Sequence, residues 1–254
     1  MIYLLCMTTK KIPLFKNLEI ETSSMCNRSC VTCLRNSDPD RDSVASWFSQ
    51  NLLPIETIDS ILEQSIVLGH KGTVCLSHYN EPLMDPRIIE IVELTKKKGF
   101  KHVFFGSNAD FLTEELAYQL DGVVDYVGFS FYMDDPKRTK RKEWVKSLFK
   151  KTKITMGDGD HMVTHHSPLV DVVQISRKHS TRPCSRPQKR MIVNHKGEML
   201  MCCDDLTGHF DLGNVYDNTI EELWYSDKHQ DFVLALSKPG GRCVHSHCLS
   251  CPRD

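Results

Sequence analysis

From residue 18 to residue 131 the chain alternates between short apolar runs and longer runs with a helical period. Leu18 to Thr22 (LEIET) predicts a strand. Pro54 to Leu68 sets Ile55, Ile58, Ile61, Leu62 and Ile66 on one helical face, opened by a proline that suits a first turn. Thr73 to Ser77 predicts a second strand. Pro86 to Lys98 predicts a second helix, with lysines in its last turn where they complement the dipole. His102 to Phe105, Thr113 to Leu120 and Tyr126 to Phe131 continue as strand, helix and strand. Such alternation implies parallel strands joined by helical crossovers, in a barrel or an open α/β sheet. In both, chemistry gathers at the C-terminal ends of the strands.

Beyond residue 184 the pattern changes. Arg190 to Asn194, a turn at His195 to Gly197, and Glu198 to Cys202 predict a hairpin, and Thr219 to Ser237 a helical stretch. Polar residues and histidines between 160 and 183 interrupt any period. The expected division is therefore residues 1–165 and 166–254, with no internal repeat.

Composition narrows the class. The chain has 254 residues, 40% of them hydrophobic and 26% charged, with 32 basic against 33 acidic side chains. That is the profile of a folded globular protein. The near-zero balance gives no general reason to expect a nucleic-acid or membrane partner. Met1 to Met7 lacks the basic start and the apolar length of a signal peptide, and no run approaches the roughly 18 apolar residues of a membrane span. A cytoplasmic, reducing location follows as an expectation. There, the 11 cysteines point to metal rather than to disulfides.

Three of them form Cys26-x3-Cys30-x2-Cys33, directly after the first predicted strand. Three thiolates on one tight loop can hold three corners of an iron–sulfur cube and leave the fourth iron open. A zinc site would need a fourth protein ligand from elsewhere. The loop resembles that of the radical S-adenosylmethionine (radical SAM) superfamily, with Thr32 where an aromatic residue is usual. The resemblance implies a partial (β/α)6 TIM-type barrel whose [4Fe–4S] cluster binds S-adenosyl-L-methionine. His78-Tyr79-Asn80-Glu81-Pro82-Leu83 is similar to the family's G-G-E-P motif, and Gly106-Ser107-Asn108-Ala109-Asp110 to its T-N-G motif. Tyr79, Asn80, Glu81, Ser107, Asn108 and Ser130 are then the expected cofactor-binding residues. Glu81 is expected to accept from the cofactor's ammonium group.

The second cysteine set is similar to the opening and close of a SPASM module in its shorter Twitch form. Cys184-x12-Gly197-x4-Cys202, Gly213-Asn214-Val215, Ile220 to Trp224 and Cys248-x2-Cys251 carry that likeness. It implies a second, auxiliary [4Fe–4S] cluster on Cys184, Cys202, Cys248 and Cys251. Cys203 and Cys243 are left as spares, and Cys6 and Cys75 as core residues. The resemblance spans residues 16 to 252.

The activity so implied is cleavage of the cofactor to a 5′-deoxyadenosyl radical and abstraction of a substrate hydrogen. A two-electron oxidation of alcohol to ketone on a small polyol, aminocyclitol or sugar would follow, with the auxiliary cluster as electron acceptor. Oxidation also needs a base; His166, with His165 beside it, is the candidate catalytic residue, against the plainer reading of polar linker histidines. Residues 137–153 hold nine Lys or Arg. They read either as the solvated side of a helix or as recruitment of an anionic small-molecule substrate. A flavodoxin- or ferredoxin-type donor is the implied electron source. A peptide or protein maturase, a radical epimerase and, remotely, a non-catalytic zinc protein are the alternatives.

Overall fold

The computed structural model describes residues 12–28, 30, 33, 35, 51–132, 136–158, 182–206, 208–249 and 251. The expected boundary near 165, together with His165 and His166, lies outside the described residues, as does Cys6.

Strands β1 (Asn17–Ile20), β2 (Thr73–Cys75), β3 (His102–Ser107), β4 (Tyr126–Phe131), β5 (Lys153–Asp158), β6 (Arg190–Val193) and β7 (Met199–Leu200) form one sheet, in the order β5-β4-β3-β2-β1-β6-β7. All neighbours are parallel except the β6/β7 hairpin. Helices α1 (Ile55–Val67), α2 (Ile88–Lys97), α3 (Glu114–Leu120) and α4 (Lys137–Leu148) alternate with the first five strands. The period read from the sequence explains their placement. Ile58, Ile61 and Leu62 of α1, and Ile88, Ile91 and Val92 of α2, are buried together with Leu18, Ile20, Val74, Val103, Phe105, Val127 and Phe129 from the strands. The alternate strand residues, among them Glu19 and Glu21 of the first strand segment, face the other way. That side is polar.

Three features depart from the sequence expectation. First, β5 was not read as a strand. Its burial alternates between exposed and half-buried, because it is the sheet edge and its apolar stripe is only Ile154 and Met156. Second, the hairpin does not stand apart from the barrel but extends its sheet, since β6 pairs along β1 from Asn17↔Arg190 to Ile20↔Val193. Third, the stretch Thr219 to Ser237 is two helices, α5 (Ile220–Trp224) and α6 (Asp227–Leu236). Thr219 and Glu222 close a capping box on α5, and Ser226 caps α6 by accepting from His229 N, so a second helix begins where the first stops.

The C-terminal module docks on the outside of the barrel. Trp224 is fully buried, donates from Nε1 to Pro13 O at 3.1 Å, and meets Phe15 edge-on at 5.1 Å. Ile220 N donates to Gln64 Oε1 of α1 at 2.8 Å. Gly197, with φ at +81°, turns the β6/β7 hairpin where a Cβ would lie 2.7 Å from Asn214 Oδ1, so only glycine fits there. A short helix α7 (Ser246–Leu249) follows a 3-10 turn, Gly241–Val244. Among the described residues no helix is long and apolar enough to cross a membrane.

Candidate functional site

Past Ile20 the chain leaves β1 and is pinned before it reaches the cysteines. Leu53 N donates to Thr22 O, Ser24 N to Asn51 O, and Glu81 N to Met25 O at 2.7 Å. Cys33 N then donates to Cys30 O, a tight turn that sets these two thiols near one another. The loop is clamped from β3's end: Arg28 Nη2 and Asn27 Nδ2 donate to Asp110 at 2.6 and 2.7 Å, and Asn108 Nδ2 donates to Asn27 Oδ1. The Arg28 guanidinium also lies over the Tyr132 ring, at 4.9 Å.

Cys26, Cys30 and Cys33 line one cavity of about 270 Å³ at the C-terminal ends of the strands. Burial pushes all three thiols up, Cys33 to about 11; neighbouring thiols add to the shift of Cys30 and Cys33, and Glu81 to that of Cys26. Three desolvated sulfurs that resist ionisation one by one are the donor set that a multi-iron cation satisfies, because metal binding deprotonates a thiol outright. The donor chemistry fits a cluster held by this loop. Among the described residues no three His, Cys, Asp or Glu side chains stand close enough to share a single ion. The thiols of a cube need not, since they occupy its separate corners.

All six cofactor residues expected from the sequence line this cavity: Tyr79, Asn80, Glu81, Ser107, Asn108 and Ser130. Their side chains are not used alike. Glu81 Oε1 accepts from Ser107 Oγ at 2.7 Å and Leu83 N at 3.0 Å, and Oε2 from Asn108 N at 2.6 Å. Burial raises Glu81 to about 6 against these bonds. A carboxylate has about four acceptor positions, so one remains for an ammonium donor. Asn80 instead folds back on the loop, with Oδ1 accepting from His78 N and Nδ2 donating to Thr22 Oγ1. Tyr79 reaches from the cavity wall to the C-terminal module: its hydroxyl donates to the carbonyl of Cys203.

Several contributors were not foreseen. Arg28, His78 and Tyr132 line the cavity, and so does Cys203, which sequence reasoning had set aside as a spare. Arg35 holds Tyr79 O at 3.2 Å. Beneath, Glu21 Oε1 accepts from Tyr79 N, while Oε2 accepts from His195 Nδ1 at 2.7 Å. Burial alone would raise Glu21, but the His195 bond and the charge at His78 hold it below the usual carboxylate range. The signal was present in LEIET, where acids occupy alternate positions of a strand too apolar to be exposed.

In the second cysteine set Cys248 lies within electrostatic reach of Cys184 and Cys251, and Cys202 is linked to it through Asp205. Burial pushes Cys248 up to about 12, and the nearby Cys251 and Cys184 thiols push the same way. Cys202 is raised by burial, then by Cys203 and by Asp204, and both Cys202 and Cys248 feel the Asp205 carboxylate. Asp205 oxygens accept from Met201 N and His209 N. Cys243 is exposed and stands apart; Cys75 is buried in β2, as expected of a core residue. Arg242, 1% exposed beside this set, has Nε and Nη2 without a hydrogen-bond partner. Four sulfurs and a buried cation with idle donors fit an anionic cluster.

Comparison with known proteins agrees with this geometry. The profile of the radical SAM superfamily matches residues 20–158, and that of the SPASM iron–sulfur cluster-binding domain matches residues 184–252. The S-adenosyl-L-methionine-dependent 2-deoxy-scyllo-inosamine dehydrogenase of Niallia circulans is 23% identical over 245 residues, covering 94% of this chain and 93% of that protein. The crystal structure of BtrN in complex with AdoMet and 2-DOIA superposes with a TM-score of 0.77 at 22% identity, over 95% of this chain and 94% of BtrN. SuiB of Streptococcus suis, bound to the precursor peptide SuiA, gives 0.60 at 14% identity, over 90% of this chain and 70% of SuiB.

Proposed function

Because the chain belongs to the radical SAM superfamily and carries a SPASM cluster-binding domain, we propose that it oxidises a secondary alcohol of a small polyol, aminocyclitol or sugar to a ketone. Its cofactors are a [4Fe–4S] cluster with S-adenosylmethionine in the barrel and auxiliary iron–sulfur in the C-terminal domain. When bound, they supply a carbon-centred radical that takes a substrate hydrogen and a sink for the second electron.

The observation that carries this reading is the joint between the two cysteine sets. Tyr79 stands in the wall of the barrel cavity and donates to the backbone of Cys203, next to Cys202. An electron leaving a substrate in the cavity thus has a packed, hydrogen-bonded route toward the auxiliary thiols. Cys26, Cys30 and Cys33 would hold the barrel cluster, with Glu81 orienting the cofactor's ammonium group. Cys184, Cys202, Cys248 and Cys251 would hold the auxiliary one. His166, seconded by His165, is the proposed acceptor of the hydroxyl proton.

The near-complete mutual coverage with a dehydrogenase of an aminocyclitol supports this substrate class. The basic helix α4 extends that class to anionic sugars. A flavodoxin- or ferredoxin-type protein is the proposed electron donor, in the reducing cytoplasm.

The test is anaerobic reconstitution with iron and sulfide, then incubation with S-adenosylmethionine and a panel of polyols and aminocyclitols. The expected result is 5′-deoxyadenosine together with a product lighter by two hydrogens. A product of unchanged mass with inverted stereochemistry would replace oxidation by epimerisation. Turnover on peptides alone would replace the substrate class.

A further inference from the structure

Arg242 sits in a place where a cation is costly. The chain enters its turn through Gly240 and Gly241, and a Cβ on Gly241 would fall 1.8 Å from Ala235 O of α6. The backbone therefore passes against α6 bare, and the turn drives Arg242 inward until it is 1% exposed. Nη1 donates to Cys251 O at 3.2 Å. Nε and Nη2 are buried and have no partner, and among the described residues no carboxylate pairs with the guanidinium. Asp205, the acid that acts on Cys248, accepts instead from Met201 N and His209 N. A buried charge without a counter-charge is among the least tolerable features of a fold, unless something anionic completes it. Arg242 borders the auxiliary sulfur set: it holds the Cys251 carbonyl and its charge acts on Cys248, which Cys251 and Cys184 also influence.

We propose that Arg242 points its two idle N–H groups at the sulfurs of the auxiliary cluster and sets that cluster's reduction potential, so that it can accept the substrate's second electron. The proposal rests on the oxidation argued above. The electron balance is simple: the substrate carbon loses a hydrogen atom, its hydroxyl loses a proton to the base, and one electron passes to the oxidised auxiliary cluster. That electron leaves afterwards to a one-electron carrier of the flavodoxin or ferredoxin class. Four thiolates give the oxidised cube a net negative charge, and the electron adds another. A permanent positive charge at contact distance in a low-dielectric site stabilises the more negative form, and hydrogen bonds to the sulfurs act in the same direction. Arg242 is thus a positioning and tuning residue rather than a catalytic one.

The test is a potentiometric titration of the reconstituted enzyme, followed by electron paramagnetic resonance, for wild type, Arg242→Gln and Arg242→Lys. Iron and sulfide are counted for each. Arg242→Gln is expected to make electron acceptance at least tenfold less favourable, which is a downward shift of about 59 mV for one electron. Cofactor cleavage to 5′-deoxyadenosine stays at the wild-type rate while ketone per cleavage falls. Arg242→Lys restores the potential toward wild type, because it keeps the charge. An unchanged potential in a loaded Arg242→Gln enzyme overturns the proposal. If Arg242→Gln fails to load, loading and potential rescued by Lys support it, and equal loss in both variants overturns it by showing a shape requirement. A wild-type enzyme that binds only the barrel cluster would instead refute the reading on which this rests.

Discussion

The two cysteine sites handle buried charge differently. Around the barrel loop the charged groups are paired, although Arg28 Nε, His78 Nε2 and His195 Nε2 are buried without hydrogen-bond partners. Arg28 pairs with Asp110, Glu81 accepts three hydrogen bonds, and Glu21 is bonded to His195 and Tyr79. In the C-terminal module the thiols come from positions as far apart as 184 and 251, and Arg242, bonded to the Cys251 carbonyl, keeps two idle donors. The barrel site is a preformed cradle. The auxiliary site is a fold that expects its ion. One is built by local sequence and short-range bonds, the other by tertiary packing that the cluster completes.

The sharpest break between them is expected from single thiol removals. Cys30→Ala should abolish cofactor cleavage, since it removes one of three thiols on the loop that would hold the reactive cluster. Cys248→Ala should leave 5′-deoxyadenosine formation intact and lose the oxidised product. Both are read by quantifying 5′-deoxyadenosine and ketone in the same anaerobic reaction. Equal loss of cleavage in a folded Cys248→Ala protein would erase the distinction.

Chelating iron from the holoenzyme should expose the same asymmetry in the backbone. Without a counter-charge at Arg242, amides of residues 240–251 are expected to exchange much faster with deuterium. Those of β1 to β4, tied into the parallel sheet, should change little. Uniform deprotection would mean that both sites depend equally on metal.

A smaller effect sharpens the barrel half. Asp110 accepts from both Arg28 and Asn27 of the cysteine loop and, with Asn108, ties that loop to the end of β3. Asp110→Ala should loosen the loop by about 1–2 kcal/mol, a charge-assisted bond discounted for its partial exposure. Slower cofactor cleavage and faster iron loss, with an unchanged product ratio, are the expected readings. A change in the product ratio would show that the clamp reaches the auxiliary half.

The same contrast decides what was legible in the sequence. Cys26, Cys30 and Cys33 sit on one loop, so spacing alone names them, and apolar periods along α1, α2, β3 and β4 locate the sheet that presents them. Strand β5 escaped because its apolar stripe is two residues, Ile154 and Met156, between a lysine-rich stretch and Gly157. The roles of Cys202 and Cys203 could be assigned by spacing, but only the fold shows that Cys203 faces the barrel cavity. Arg242 could not be singled out, since an arginine beside two glycines reads as a surface turn until Gly241 is seen pressed against α6.

The mildest expected effect separates the two halves by pH. His229 lies against Trp224 in the module, with ring centres 4.5 Å apart, and donates from Nδ1 to Trp224 O. Burial lowers it to about 4, against the pull of the Trp224 and Pro187 carbonyls, from 6.5 in the unfolded chain. Between those values the unfolded chain binds a proton that the folded one refuses. Its contribution to stability is therefore complete above about pH 6.5 and declines as pH falls toward about 4. In the barrel, Glu21 is held below its ordinary 4.5, so its contribution is lost only below that pH. Glu81, raised to about 6, works in the opposite sense within the same window but shifts wild type and variant alike. His229→Gln should cost about 1 kcal/mol at pH 7.5 through lost packing and hydrogen bonding. That deficit should shrink steadily as the pH is lowered to 5.5, in anaerobic urea titrations of the two holoenzymes. Parallel pH profiles would show that His229 already shares its proton with a partner, and that the module buries its polar groups as the barrel does.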